Sequence, residues 1–314
     1  MGAIALLFPG QGSQRAGMGR ELAEAFPAAK AVFERADEAL EFRLSRLCFE
    51  GPDAELQLTA NTQPAILVVS AAAAVVLGEM GVRPDFVAGH SLGEYSALVA
   101  AGSIRLEDAV RLVRKRGQYM QEAVPVGQGS MAALLGLDAV VAAEICRQVA
   151  QGEVVSAANL NAPAQVVIAG HATAVARAVE TARQRGAKRA LMLNVSAPFH
   201  SALMKPAADR LALELDAVSI LDSVCPLVNN VDARPVRSSA EIRDGLIRQV
   251  ASPVRWEESM RRLRAEGVGR FVEVGPGKVL CGLMRQIDRE ARCFRVENPA
   301  SLDETLEGLQ TVVN

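Results

Sequence analysis

The chain has 314 residues, is 50% hydrophobic and 22% charged, and carries a net charge of −2. That length and composition support a large buried core in one domain or two. The near balance of charge gives no electrostatic case for a nucleic acid partner, and with aromatics at 4% the core is expected to be built from small aliphatic side chains.

A buried strand is expected over 3–8, ending in the loop Pro9-Gly10-Gln11-Gly12-Ser13-Gln14. Its apolar run is too short for a signal peptide and lacks the basic flank. Helical patterns fill most of 20–80. The longest apolar stretch, 65–78, falls short of the roughly 20 residues that span a bilayer, so it reads as a buried helix and no membrane association is expected. A strand over 84–88 runs into Gly89-His90-Ser91-Leu92-Gly93, and small apolar residues at helical spacing follow over 94–101. A helix over 106–123 is broken by Pro125, Gly127 and Gly129.

Residues 131–196 then read as strand 131–137, helix 140–150, strands 154–160 and 165–169, helix 174–185 and strand 189–195. The order βαββαβ is that of a ferredoxin-like unit. Helices near 202–215, 239–250, 256–265 and 278–288 follow, with strands near 226–229, 270–274 and 292–296 and a C-terminal helix. Such alternation implies a mainly parallel sheet covered by helices. The expected division is an α/β domain from 1–126 and 197–314, with 127–196 inserted.

The pentapeptide at 89–93 has the strand, sharp turn and helix that make G-x-S-x-G a nucleophile elbow. The glycines permit the turn and leave the Ser91 hydroxyl exposed, while the Leu92 N–H stands at a helix N-terminus, where it can hold an oxyanion. Ser91 needs a base. His90 is adjacent in a sharp turn that points neighbouring side chains apart, and His171 ends an inner strand of the insert, where a structural role is expected. His200 follows Ser196-Ala197-Pro198-Phe199, where the chain re-enters the large domain, and clefts between domains favour active sites.

The Gly10-Gln11-Gly12 loop is either a plain strand-to-helix turn or the source of a second oxyanion donor, the Gln11 N–H. Parallel strands ending at one sheet edge would bring it beside Leu92. Arg116 falls near the middle of the apolar side of the 106–121 helix, with Leu112, Val113 and Met120. A buried guanidinium without an anion is costly. It either pairs with a buried Asp or Glu, or awaits a substrate carboxylate held by two parallel N–H···O bonds.

Weaker candidates have ordinary explanations beside functional ones. Gly275-Pro276-Gly277-Lys278 is a strand-to-helix turn or a phosphate loop. Asn159 and Asn161 flank a turn within the insert. Arg183, Arg185, Lys188 and Arg189 form a solvated basic face or a dock for an acidic partner. The cysteines, at 48, 146, 225, 281 and 293, contain no C-x-x-C pair, so reduced, mostly buried thiols of a cytoplasmic protein are expected. Three histidines without metal-ligand spacing give no metal site.

Several segments together resemble the malonyl-CoA:acyl carrier protein transacylase family. They are Phe8 to Gln14, Thr62-Gln63-Pro64-Ala65, Gly89 to Tyr95, Arg116-Gly117, Ala158-Asn159-Leu160-Asn161, Pro198-Phe199-His200 and Gly275-Pro276-Gly277. They span essentially the whole chain, and no catalytic position departs from the family pattern. The resemblance implies an acylated Ser91, His200 as base, an oxyanion hole from the N–H groups of Gln11 and Leu92, and Arg116 on the malonyl carboxylate. It implies that Gln249 orients His200 through its backbone carbonyl. Gln63, Asn159 and Phe199 join Arg116 in substrate binding, with Phe199 matching a malonyl-selective pattern. The implied fold is a hydrolase-like α/β domain carrying the ferredoxin-like insert. The implied partners are malonyl-CoA and acyl carrier protein, for a monomer of fatty acid biosynthesis that uses coenzyme A thioester as substrate and no cofactor. Polyketide synthesis and malonate decarboxylation are alternative settings. A serine thioesterase is disfavoured, because it needs an acid between serine and histidine in the chain and leaves the inward arginine unexplained. A non-enzymatic binder of acyl-CoA or an acidic metabolite would form no covalent adduct.

Overall fold

The computed structural model describes residues 2–195 and 197–310. Strand β1 (Ala3–Phe8) is followed by helices α1 (Arg20–Ala25), α2 (Pro27–Leu40), α3 (Leu44–Glu50), α4 (Asp53–Leu56) and α5 (Thr59–Glu79). Strand β2 (Phe86–Gly89) leads into α6 (Gly93–Ala100) and α7 (Leu106–Glu122). Next come β3 (Gly129–Leu135), α8 (Ala139–Val149), β4 (Val155–Ala162), β5 (Gln165–His171), α9 (Ala172–Gln184) and β6 (Arg189–Met192). The remainder is α10 (Lys205–Asp216), β7 (Leu227–Val228), β8 (Pro235–Val236), α11 (Ser239–Gln249), α12 (Trp256–Ala265), β9 (Val268–Val274), α13 (Val279–Ile287), β10 (Arg292–Val296) and α14 (Pro299–Gln310). The predicted strand over 189–195 stops at Met192, and β8 was not foreseen, because two residues carry no periodicity. Ser196 and 311–314, which the expected division assigns to the insert and the main domain, lie outside the described residues.

Two sheets form. Six strands run in the order β10-β9-β1-β2-β7-β8, parallel except for the last pair. Four strands run β4-β5-β3-β6, antiparallel throughout. Strand β1 explains the layering. Leu6 and Phe8 enter a large apolar cluster with α2, α5, α6 and α7, while Ala5 and Leu7 enter a second with α12 and α13. A parallel strand covered on both faces reads as an unbroken apolar run. A third cluster packs α8 and α9 under the antiparallel sheet.

Helix α5 extends beyond the apolar stretch at 65–78. At 21 residues it is long and apolar enough to cross a membrane, yet 78% of its most apolar window is buried in the protein. Complete burial of Ile66, Leu67, Val68 and Val69 contributes at most roughly 1.5–3 kcal/mol each. One expectation fails: Cys281 on α13 and Cys293 on β10 form a disulfide, with Cα atoms 5.4 Å apart. The helix-to-strand return that brings them together is tertiary, and a separation of 12 residues carries no pairing signal. Cys48, Cys146 and Cys225 are free and buried, as expected.

The register positions the site. Phe8 lies opposite Gly89 in the parallel β1–β2 pair, so the loops after both strands leave one sheet edge side by side. Strand β4 reaches over that edge: Leu160 N donates to Val254 O, and Val254 N to Ala158 O, both at 2.9 Å.

Candidate active site

A cavity of about 250 Å³ opens between the two sheets. Its walls include Gln11, Gln63, Ser91, Leu92, Arg116, Asn159, Phe199 and His200, with Gln249 packed immediately behind. Residues from distant stretches of sequence thus converge on one cavity.

Ser91 stands between β2 and α6 with φ of 52°. A Cβ on Gly89 would lie 1.9 Å from the Gly93 carbonyl carbon, and one on Gly93 would lie 2.0 Å from Phe8 O. The turn closes against β1 only because both lack side chains. His90 does point away from its neighbour, with Nε2 2.8 Å from Asn161 Oδ1. His171 is structural, its Nδ1 accepting from the Val154 N–H at 2.9 Å.

His200 is 3% exposed. Its Nδ1 is 2.9 Å from Gln249 O and its Nε2 is 2.7 Å from Ser91 Oγ. A carbonyl can only accept, so Nδ1 carries the proton and Nε2 offers a lone pair to the Ser91 hydroxyl. Burial first, and then the Arg116 cation, pull the imidazole down to about 3. Among the described residues no carboxylate bonds the ring to counter them, because the main-chain oxygen of Gln249 stands where a catalytic acid often does. The ring is therefore neutral, and able to take a proton, across the ordinary pH range.

Arg116 is 1% exposed. Nη1 donates to Gln63 Oε1 at 2.8 Å, while Nη2 donates to Gln249 Oε1 at 2.8 Å and to Ser91 Oγ at 3.2 Å. Nε has no partner among the described residues, and no carboxylate there forms an ion pair with the guanidinium. Of the two expectations for this residue, the buried acidic partner fails. The cation meets neutral acceptors instead, and its Nη2 faces the serine. The N–H groups of Gln11 and Leu92 bond no acceptor among the described residues, so both are available to an oxyanion in the cavity.

The alternative anion loop is already occupied. Gly277 N donates to Glu297 Oε2 at 2.9 Å, and buried Glu273 accepts from Leu280 N and Cys281 N at 2.9 and 2.8 Å at the start of α13. Turn geometry is the better account of Gly275-Pro276-Gly277-Lys278. In the basic cluster, Arg183 and Arg185 pair with Glu180 and Glu144. Lys188 and Arg189 form no ion pair among the described residues.

Sequence reasoning missed the polar floor beneath the elbow. Asn230 Oδ1 accepts from Ser91 N at 2.7 Å and its Nδ2 donates to Gly89 O at 2.7 Å. Glu94 Oε2 accepts from Asn230 N and from Gln249 Nε2, each at 3.0 Å. Glu94 had a signal, being the one charge at the head of an otherwise apolar helix. Asn230 had none beyond its place after a short apolar strand.

The acyl transferase domain family matches residues 5–298. The chain is 52% identical to a malonyl CoA-acyl carrier protein transacylase of Bacillus subtilis, over 99% of this chain and 98% of that one. It is 48% identical to the Escherichia coli K12 protein of the same name, over 98% and 100%. The solved malonyl CoA-acyl carrier protein transacylase from Coxiella burnetii has TM-score 0.96 at 42% identity, over 100% and 98% of the two chains. A malonyl-transacylase solved in complex with a type II PKS acyl-carrier protein has TM-score 0.95 at 48% identity, over 98% and 99%. With full-length matches of this kind in both sequence and structure, the chain belongs to the malonyl CoA-acyl carrier protein transacylase family of acyl transferase domains.

Proposed function

We propose that this enzyme moves a malonyl group between coenzyme A and the thiol of acyl carrier protein by way of a malonyl ester on Ser91. Malonyl transfer between these two carriers is the activity its relatives are named for. The observation that carries the reading is Arg116: a buried guanidinium with no carboxylate partner among the described residues, 3.2 Å from the oxygen of a serine that itself bonds a neutral histidine at 2.7 Å.

His200 Nε2 takes the Ser91 proton as Oγ bonds to the thioester carbon. The carbonyl oxygen becomes an oxyanion between the N–H groups of Gln11 and Leu92, each such donor being worth about 3–4 kcal/mol. Collapse breaks the C–S bond, and His200 returns the proton to the departing coenzyme A sulfur. The carrier protein thiol then gives its proton to His200 as its sulfur attacks the ester. Collapse breaks the bond to Oγ, and His200 reprotonates Ser91. The Gln249 carbonyl keeps the histidine in the tautomer both halves need. Arg116 holds the free carboxylate, so acetyl leaves a buried charge unpaired. Gln63, Phe199 and Asn159 line the acyl and thioester path. Coenzyme A thioester is substrate, and the chemistry assigned to these residues calls on no further cofactor.

In this reading, 1–126 and 197–314 form a hydrolase-like domain, supported by the parallel sheet and the strand–elbow–helix at Ser91. Residues 127–196 form a ferredoxin-like insert, supported by the βαββαβ order and the strand order β4-β5-β3-β6. The enzyme acts as a cytoplasmic monomer in fatty acid synthesis. Polyketide synthesis is the second reading, favoured by the similar transacylase solved with a type II PKS carrier protein. Transfer from malonyl-, methylmalonyl- and acetyl-CoA to purified holo carrier proteins of both kinds is the test. Malonyl thioester on a carrier supports the reading, and release of free malonate without carrier loading makes the protein a thioesterase.

A further inference from the structure

The Gln249 side chain has a part that its backbone role does not cover. Nε2 donates to Ser91 O at 2.9 Å and to Glu94 Oε2 at 3.0 Å, while Oε1 accepts from Arg116 Nη2 at 2.8 Å. This amide has one permitted orientation. On one side a carbonyl and a carboxylate only accept, and on the other a guanidinium only donates. Glu94 is fully buried near the head of α6, where Asn230 N also donates to it at 3.0 Å. Carboxylate and guanidinium are kept apart by the width of one amide.

We propose that Glu94 is a positioning residue for Arg116: through the Gln249 amide, which takes one Nη2 donor, it holds the guanidinium beside Ser91 without pairing with it directly, and so sets the preference for acyl groups that end in a carboxylate. A direct Glu94–Arg116 pair would make the substrate compete with an internal anion. Without the carboxylate charge, Nε2 keeps Ser91 O at 2.9 Å and Asn230 Oδ1 at 3.3 Å but loses its charged acceptor, so the amide, and with it the bond that holds Nη2 near Ser91, is held less firmly. The proposal rests on the reading of Arg116 as the carboxylate clamp.

The charged and titratable groups bearing on Glu94 are Arg116 of α7, Tyr95 beside it in α6, and Asp232 in the loop after β7. Burial pushes the Glu94 carboxyl up to about 7, against the pull of Gln249, Asn230 and Arg116. Its charge, and with it the charge-assisted hold on the amide, is therefore lost as pH falls through that value.

The test is the malonyl-to-acetyl ratio of kcat/KM in the whole enzyme, for the wild type, Glu94→Gln, Glu94→Asp and Arg116→Ala. Glu94→Gln is expected to lower the ratio about tenfold or more, chiefly through the KM for malonyl-CoA. Glu94→Asp, still acceptor-only, retains more of the ratio than Glu94→Gln. In the wild type the ratio falls as pH is lowered through about 7, and in Glu94→Gln it does not change with pH. The wild-type series needs no variant and stands if Glu94→Gln does not fold. Equal loss of malonyl and acetyl transfer in Glu94→Gln, or a flat wild-type ratio, overturns the proposal. An unchanged ratio in Arg116→Ala overturns the clamp itself. Loss there with retention in Glu94→Gln overturns only the part given to Glu94.

Discussion

Removing the Arg116 guanidinium should change which acyl group the enzyme prefers, and the size of the change follows from its hydrogen bonds. Arginine has five N–H donors. Three bonds are made, all to neutral acceptors, Gln63, Gln249 and Ser91, and a substrate carboxylate that displaces such acceptors can take two parallel N–H···O bonds. A hydrogen bond to a charged group is worth about 1.5–3 kcal/mol, so two contribute roughly 3–6 kcal/mol, or about 10²- to 10⁴-fold in kcat/KM. Arg116→Ala should lose malonyl transfer by that factor and lose far less acetyl transfer, because acetyl makes neither bond. Arg116→Lys should fall between, since an ammonium keeps the charge but not the fork. The assay is the initial rate of thioester formation on holo carrier protein from each acyl-CoA, with folding checked by thermal denaturation. Equal loss for both acyl groups would refute the reasoning and leave Arg116 a structural residue.

Gly93→Ala places a Cβ 2.0 Å from Phe8 O; it should cost about 1–3 kcal/mol of stability and lower kcat, and a wild-type Tm with wild-type kcat would contradict the close packing of elbow on β1. His200, depressed to about 3, contributes stability that is fully present above its unfolded value of about 6.5 and is lost as pH falls toward about 3. The pH–rate profile for acetyl transfer should accordingly lack an acid limb near 6.5, and a limb there would show that the histidine is not held neutral by its surroundings. Lys188→Glu with Arg189→Glu should raise the KM for carrier protein several-fold at low salt and leave the KM for malonyl-CoA unchanged, by loss of steering. No change in the carrier KM would make that face merely solvated.

The parts of this protein legible in its sequence are those with periodicity or a backbone constraint. Strand Ala3–Phe8, helix Trp256–Ala265 and strand Arg292–Val296 fall where the pattern puts them. The Ser91 elbow was visible because two glycines and a strand–helix junction leave few other turns. Arg116 was visible because a charge amid apolar helix positions demands a reason. His200 could be placed only by elimination and by its position where the chain re-enters the large domain. The failures share a cause. The Cys281–Cys293 disulfide, the Asn230 staple and the Glu94–Gln249–Arg116 relay are contacts between elements distant in sequence, and spacing along the chain holds no record of them. The Gln249 carbonyl was expected only by family resemblance, since a backbone acceptor leaves no side-chain signature.

Intact-mass spectrometry after mixing the enzyme with malonyl-CoA, in the absence of carrier protein, tests the central claim most directly. The account predicts one malonyl increment, mapped by peptide analysis to Ser91, absent in Ser91→Ala, and discharged when holo carrier protein is added. A malonyl group on another residue, or carrier loading that proceeds in Ser91→Ala, would contradict it.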